Sequence, residues 1–277
     1  MADGLEDRSL INRPEQRLTS LPNALAGRSL ASVQEANVLR FPREYSLGTL
    51  YGIDHRRGIS QEIGEAQGTV STAGFPFLGL SMRQDLASVD ADLADLSGLT
   101  QLTELHLNET LVGDAGLAHL SGLTQLTELS LDYTKMTDAG LAHLRGLTQL
   151  TNLSLANTRV GDAGLAHLSG LTQLTILDLG GTQLTDAGLA HLSGLTQLTA
   201  LYIGGMQVTN AGLTHLRSLT QLTRLGLEGT NVTDAGLAHL GGLTQLKSLD
   251  LEGSMVSPEG LRRCPWLPQS VFEPGWL

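Results

Sequence analysis

Residues 185–199 read TDAGLAHLSGLTQLT, and almost the same letters begin again at Thr137, Gly161, Thr209 and Thr233. Aligned on these letters, 96–263 divides into seven units of 24 residues with no insertion or deletion. The units begin at Leu96, Leu120, Leu144, Leu168, Leu192, Leu216 and Leu240. A fixed period of this length is typical of proteins built by stacking one small structural unit on the next.

Each unit contains two apolar patterns with different periods. Apolar and polar residues alternate through LTELHL (102–107), which predicts a half-buried strand. Leucines at every third position in DAGLAHLSGL (114–123) predict a short helix. Because each strand returns by the same crossover, successive strands must be parallel. The predicted fold class is therefore α/β, a right-handed β–α solenoid with a parallel sheet on the concave face and short helices on the convex face.

The helix starts are fixed by a proline in the last unit. Proline is tolerated best at the first helical position, so Pro258 predicts Ser257 as the N-cap. The equivalent N-caps are Gly113, Thr137, Gly161, Thr185, Thr209 and Thr233. An aspartate then stands in most first turns, where the helix dipole stabilises a carboxylate by roughly 0.3–1 kcal/mol. Gly122 and its equivalents are expected to end the helices.

The pattern LTxLxLxxTxVTDAGLAHL closely resembles the leucine-rich repeat, in its short bacterial TDAGL-type form, throughout 96–263. One position departs from the commonest pattern, which has Asn or Cys there. It holds Thr110, Thr134, Thr158, Thr182, Met206, Thr230 and Ser254. A hydroxyl can still bond the backbone in the turn after the strand, whereas Met206 cannot, so the fifth repeat is expected to be looser.

Composition limits the classes of partner. The chain of 277 residues has 28 acidic and 17 basic residues, a formal net charge of −11, which argues against nucleic acid or an anionic membrane. Cys264 is the single cysteine, so neither a disulfide nor a cysteine metal cluster is expected. The N-terminal sequence does not resemble a signal peptide and no run of about 18 apolar residues occurs. We expect a cytoplasmic protein, with secretion by a non-Sec route left open.

The sequence outside the repeats suggests capping regions. Residues 1–40 are predicted to be a polar arm, either disordered, helical or a small partner-binding module. Residues 41–95 are predicted to form an N-terminal β cap followed by a degenerate repeat, and 264–277, with both tryptophans, a C-terminal cap.

A row of histidines recurs once in each of six repeats, at His119, His143, His167, His191, His215 and His239. Helices packed roughly 8–10 Å apart and pointing the same way cannot easily place two of these rings on one zinc ion, whose bonds to nitrogen are near 2.0–2.1 Å. Catalytic residues form a single cluster, while each Ser, His and Asp here is copied along the array. No metal, no cofactor and no enzymatic activity are predicted.

Variation between the repeats falls on the outward strand positions, which are free to encode recognition. The residues predicted to bind a partner on the concave face are Glu104, His106, Glu128, Asp132, Tyr133, Ile176, Asp178, Tyr202, Arg224, Glu228, Asp250 and Glu252. Such faces commonly bind proteins, and tyrosines are favoured at the energetic centres of interfaces. The preferred interpretation is a non-enzymatic scaffold that binds a protein or peptide on this face, through basic side chains of the partner.

Two other functions stay open at this point. The chain could be a structural module that stacks copies of itself, although a monomer is favoured. It could also be the recognition arm of a larger effector or ligase-type complex. The sequence names neither the partner nor the role of 1–76, and the near-identity of the repeats is also compatible with a consensus design.

Overall fold

A computed structural model describes residues 38–40, 48–54, 59–65, 69–71, 77–82 and 89–267. Expectations for 1–37 and for 268–277, including Trp276, lie outside the described residues. The strands are β1 (Val38–Arg40), β2 (Gly48–Asp54), β3 (Ile59–Glu65), β4 (Thr69–Ser71), β5 (Phe77–Met82), β6 (Leu102–His106), β7 (Glu128–Ser130), β8 (Asn152–Ser154), β9 (Ile176–Asp178), β10 (Ala200–Tyr202), β11 (Arg224–Gly226) and β12 (Ser248–Asp250).

The helices alternate with the later strands and are one turn long. They are α1 (Val89–Asp92), α2 (Asp114–Leu117), α3 (Asp138–Leu141), α4 (Asp162–Leu165), α5 (Asp186–Leu189), α6 (Asn210–Leu213), α7 (Asp234–Leu237) and α8 (Pro258–Arg262). A 3₁₀ segment continues several of them, as at Ala118–Leu120. The chain is more tightly wound in these segments than in an α-helix.

The strands form an open sheet in the order β12-β11-β10-β9-β8-β7-β6-β5-β2-β3, with β1 and β4 paired separately. The eight strands from β5 to β12 are parallel, while β2 pairs antiparallel with both β5 and β3. The predicted solenoid is confirmed, with each repeat adding one strand and one helix. The division into capping regions and repeats stays a prediction.

One continuous core lies between the sheet and the helices. In the first repeat the leucines of the strand and of the helix are almost completely buried, and the same positions are buried in every later repeat. Burying one such side chain stabilises the fold by about 1.5–3 kcal/mol. Since each repeat covers the apolar edge of the one before it, this stabilisation depends on stacking.

The predicted N-caps are correct. Thr137, Thr185 and Thr209 each accept a hydrogen bond on their side chain from the backbone N–H two residues later, and Ser257 accepts one from Gly260. Gly122, in contrast, does not end its helix as expected. The helical conformation ends one residue earlier, with the cap residue Ser121 in a right-handed conformation, because the chain leaves through a 3₁₀ turn that needs no left-handed glycine.

The threonines after each strand bond as predicted. The Thr110 hydroxyl donates to the Leu107 carbonyl oxygen at 2.6 Å, and the equivalent hydroxyls do the same in the second, third, fourth and sixth repeats. Met206 is 4% exposed, and its sulfur lies 3.0 Å from the Thr182 hydroxyl of the previous repeat. The expected looseness of the fifth repeat stays a prediction.

A second ladder of hydrogen bonds joins neighbouring repeats on the helix side. The aspartate in the first turn of one helix accepts hydrogen bonds from the N-cap residue of the next repeat, as Asp234 does from the backbone N–H of Ser257 at 2.6 Å and from its hydroxyl at 2.7 Å. These two hydrogen bonds lower the pKa of the Asp234 carboxyl. The aspartates, expected to interact with the dipole of their own helix, thus also bind the repeats together.

Candidate interaction surface

Two rows of side chains lie on the outward face of the sheet, which we call the strand face. Cα partners across the strands place Glu104, Glu128, Asn152, Ile176, Ala200, Arg224 and Ser248 in the first row. The second row is His106, Ser130, Ser154, Asp178, Tyr202, Gly226 and Asp250. Because adjacent strands are about 4.8 Å apart, each row is a close-spaced line of side chains.

A third row follows directly after the strands and completes this face. Its members are Asn108, Asp132, Ala156, Gly180, Gly204, Glu228 and Glu252. Eleven of the twelve residues predicted to bind a partner therefore belong to these rows, and the twelfth, Tyr133, directly follows Asp132 of the third row. The structure brings the predicted residues onto one surface, but it does not test their role in binding.

Asn108 and Asp132 form a polar network at the N-terminal half of the strand face. The Asn108 Oδ1 accepts hydrogen bonds from the Ser130 hydroxyl and from the backbone N–H of Asp132. One repeat later, the Asp132 Oδ1 accepts from the Ser154 hydroxyl and from the backbone N–H of Ala156, at 2.9 Å. These contacts hold both side chains against the sheet.

The Asp132 carboxyl has a perturbed pKa. Burial raises its pKa above the ordinary value, while hydrogen bonds from Ser154, Ala156 and Ser130 and the nearby His106 act to lower it. The raised pKa shows that desolvation outweighs these stabilising contacts. Sequence reasoning placed Asp132 on the face but did not foresee its burial, because the covering groups come from the neighbouring repeat.

The acidic side chains at the N-terminal end are partly engaged by their neighbours. The Asn152 Nδ2 donates to Glu128 Oε2 at 3.4 Å, and Glu104 also has an interaction partner. Asp178, in the middle of the second row, accepts a hydrogen bond from the backbone N–H of Gly180 at 2.9 Å. At the C-terminal end, Arg224, Asp250 and Glu252 are exposed.

The C-terminal half of the strand face has a floor of glycine. Gly204 and Gly226 are buried, and the Glu228 side chain folds back over both of them. A Cβ atom added to Gly226 would lie 2.8 Å from Glu228 Oε2 and 3.0 Å from Tyr202 Cδ1, so the carboxylate and the ring flank the same glycine. Glu228 Oε2 is buried and has no hydrogen-bond partner among the described residues.

One column of residues beside the strand face has positive φ. In the first three repeats it holds Glu109, Tyr133 and Asn157, and in the last four it holds Gly181, Gly205, Gly229 and Gly253. Tyr133 is 61% exposed, so this unusual backbone presents its ring at the edge of the face. Residues other than glycine are uncommon in this conformation.

The comparisons with known proteins agree with this geometry. A family model described as a leucine-rich repeat matches residues 170–193. An internalin from Listeria monocytogenes is 28% identical and has a TM-score of 0.51. One repeat of the chain thus matches the leucine-rich repeat model, and the chain has the fold of leucine-rich repeat proteins.

The internalin match covers 64% of this chain and 56% of the internalin, so the match spans little more than half of the internalin's length. Two further structures have the same fold at lower identity. Internalin C2 from Listeria monocytogenes is 23% identical, with a TM-score of 0.53 and coverage of 67% of this chain and 86% of that one. A leucine-rich repeat protein from Leptospira interrogans is 21% identical, with a TM-score of 0.52 and coverage of 64% and 44%. No curated protein matches the chain.

Leucine-rich repeat proteins generally serve as scaffolds for protein interactions, and the strand face has the extended form that such scaffolds use. The histidine row lies on the helix side, where His191 is exposed and the other five are half-buried. No group of three metal-ligating side chains comes together in the described part of the chain. None of the helices described there is long and apolar enough to span a bilayer.

A cavity of about 420 Å³ lies near the end of the leucine-rich repeats, beside Asp234, Cys264 and Trp266. The Cys264 thiol is buried, and burial together with the charge of Asp234 raises its pKa. Trp266 packs against the apolar core. A raised pKa keeps this thiol protonated and makes it a poor nucleophile, so the cavity does not provide an activated cysteine.

Proposed function

We propose that this leucine-rich repeat protein is a non-enzymatic scaffold that binds a protein or peptide on its strand face, through basic side chains of the partner. One observation carries the proposal. The positions that build the core repeat almost unchanged, whereas the three strand-face positions carry a different combination of residues in every repeat. Stacking alone requires only the core positions, so the variation is available for recognition.

The charges of the strand face support a basic partner. Glu228, Asp250 and Glu252 form an acidic group towards the C-terminal end, and Glu104 and Glu128 lie side by side near the other end. Complementary charges favour encounter and select against partners of the same sign. Nucleic acids and anionic membranes would meet this face with like charge.

Capture of partners by the purified full chain tests the proposal. The Asp178→Lys, Tyr202→Ala double variant changes the middle of the strand face, and Glu259→Lys reverses one charge on the exposed last helix as a control. We expect the double variant to lose specific partners that the parent and the control retain. If all three proteins capture the same partners in the same amounts, the strand face is not the binding surface.

A structural module that stacks chains end to end is the second candidate. The observation in its favour is that β12 is the last strand of the sheet among the described residues, with Ser248 and Asp250 exposed. An unpaired strand edge can pair with another chain. Light scattering at several concentrations separates the two: a monomer at every concentration supports the scaffold, and growth with concentration supports assembly.

A further inference from the structure

We infer that Tyr202 and Glu228 form a subsite for an arginine side chain of the partner. The inference rests on the proposed function, because it assigns one contact within the binding face. It goes beyond a general preference for basic partners by naming the position and the chemical group that the position recognises.

The carboxylate of Glu228 is not satisfied within the described structure. Its Oε2 is buried against Gly226 with no donor among the described residues. A buried acceptor without a partner is unfavourable, and more so when it carries charge. Rotation of the Glu228 side chain away from the glycine floor would let a donor reach this oxygen. A bound cation therefore relieves an existing penalty when it pairs with Glu228.

An aromatic ring, that of Tyr202, lies beside the Glu228 carboxylate. Tyr202 is half-buried, and its ring edge and Glu228 Oε2 both lie over Gly226. A guanidinium group can stack on an aromatic face while its N–H groups pair with a carboxylate in two parallel hydrogen bonds. A lysine ammonium lacks the planar fork and makes this combination less well.

The two positions beneath the Glu228 side chain are glycines and carry no side chain of their own. Gly204 and Gly226 are both buried, and a Cβ at either would collide with Glu228. The equivalent floor positions two repeats earlier carry Ala156 and Asp178. The two glycines leave the space that the Glu228 side chain fills, and a long side chain can lie flat there once Glu228 rotates away.

The surrounding charges favour a cation at this point. Asp178 lies across from Tyr202 on the neighbouring strand, and Asp250 lies across from Gly226 on the other side. The nearest basic residue of the rows is Arg224, which is exposed at the opposite end of its short strand. The subsite is therefore flanked by acids in its own row.

The full chain, titrated with short peptides and followed by NMR, tests the inference. The probe is acetyl-Gly-Gly-Arg-Gly-Gly-amide, compared with the same peptide carrying citrulline or lysine in place of arginine. Glycine amide signals form a separate region of the spectrum, so Gly204 and Gly226 report on the subsite while Gly170 and Gly194, on the helix side, serve as internal controls. We expect shifts at the first pair with the arginine peptide, and binding at least fivefold weaker with citrulline or lysine.

Two variants that remove the same charge give the matched control. Glu228 and Glu252 occupy equivalent positions in successive repeats, but Glu252 is exposed. Glu228→Gln should weaken binding of the arginine peptide about tenfold, whereas Glu252→Gln should change it less than twofold. Equal losses in both variants, or equal binding of all three peptides, would overturn the inference.

A second pair of variants separates a binding role from a structural one. Tyr202→Phe keeps the ring and should retain the affinity within twofold, while Tyr202→Leu should lose most of it. Glu228→Gln should not lower the melting temperature, since it removes a buried charge without a partner. If the Asp178→Lys, Tyr202→Ala variant loses its partners but arginine and citrulline peptides bind alike, the scaffold function stands and this subsite does not.

Discussion

Asp162 in one repeat accepts two hydrogen bonds from Thr185 in the next, at 2.8 Å from the backbone N–H and 2.6 Å from the hydroxyl. The Thr185 hydroxyl also accepts from the backbone N–H of Ala187, at 3.3 Å, and so caps the following helix. One carboxylate thus links the stacking of two repeats to the start of a helix.

Replacing Asp162 by alanine should destabilise the chain by roughly 1–3 kcal/mol, since the N–H of Thr185 loses its acceptor. Asp162→Asn is the matched control and should cost less than about 1 kcal/mol. The junction between the fifth and sixth repeats shows why, since Asn210 accepts a hydrogen bond from the backbone N–H of Thr233 at 2.9 Å and donates one from its Nδ2 to the Thr233 hydroxyl at 2.8 Å. Urea unfolding followed by circular dichroism measures the free energy of unfolding of both variants. Equal losses of stability would show that the hydrogen bonds accepted by Asp162 do not stabilise the stacking of the repeats.

Gly140→Ala should destabilise the chain by roughly 1–3 kcal/mol because the added methyl group overpacks the contact between repeats. A Cβ atom there would lie 2.5 Å from Asp114 Oδ1 and 2.8 Å from Leu117 Cδ1, which is closer than packed atoms approach. Gly146→Ala is the control, because nothing lies within 4 Å of its Cβ position. Thermal unfolding compares the two, and a neutral Gly140→Ala would show that the repeats can move apart at little cost.

Gly229→Ala should cost roughly 1–2 kcal/mol, because φ is +65° at this position and a side chain is strained there. The residue cannot relax easily, since its N–H donates to the Glu252 carbonyl oxygen at 2.6 Å. Tyr133→Gly, at the equivalent position four repeats earlier, should act in the opposite direction and raise the free energy of unfolding. Chemical denaturation of both variants checks the pair, and the same sign for both would contradict it.

Asp132→Asn should raise the stability at pH 7. An asparagine Oδ1 can accept the same two hydrogen bonds, as Asn108 does one repeat earlier, without a buried charge. The pKa of Asp132 is raised in the folded state, so its charged carboxylate destabilises the fold at every pH above that pKa. This destabilisation disappears as the pH falls from the folded-state pKa to the pKa of an unfolded aspartate, about 3.9. The gain from the variant should therefore shrink on acidification.

Unfolding of parent and Asp132→Asn between pH 3 and pH 8 tests this sign. Glu259→Gln, which removes a carboxylate from an exposed ion pair with Arg262, serves as the control and should change stability by less than about 1 kcal/mol. An advantage of Asp132→Asn that grows as the pH falls would show that the carboxylate stabilises the fold.

The repeat fold could be predicted because its determinants lie within one period of the sequence. The leucine spacing specified the strand and the helix, and Pro258 fixed the register of every N-cap. The resemblance to leucine-rich repeats pointed to the same stacking. The end of each helix was predicted less well, since Gly122 resembles a C-cap in the sequence while the chain turns by a 3₁₀ segment at Ser121.

The strand face was predictable as a set of positions, because alternation along a strand decides which side chains point outwards. The environment of each residue was not. Glu228 and Glu252 stand at the same place in their repeats, yet one folds over Gly204 and Gly226 and the other is exposed. The difference arises from Gly204, 24 residues away in the previous repeat, and from Gly226, whose equivalent in the last repeat is Asp250.

The sequence by itself determined the period, the secondary structure, the parallel stacking and the surface on which variation falls, since these follow from local spacing repeated without interruption. Only the tertiary structure decided that Asp162 accepts from Thr185, that Gly140 permits close approach and that Glu228 Oε2 is buried without a donor. Those contacts depend on the distance and angle between adjacent repeats. They join residues such as Asp162 and Thr185 that lie 22 to 24 positions apart in the sequence, so local spacing does not specify them.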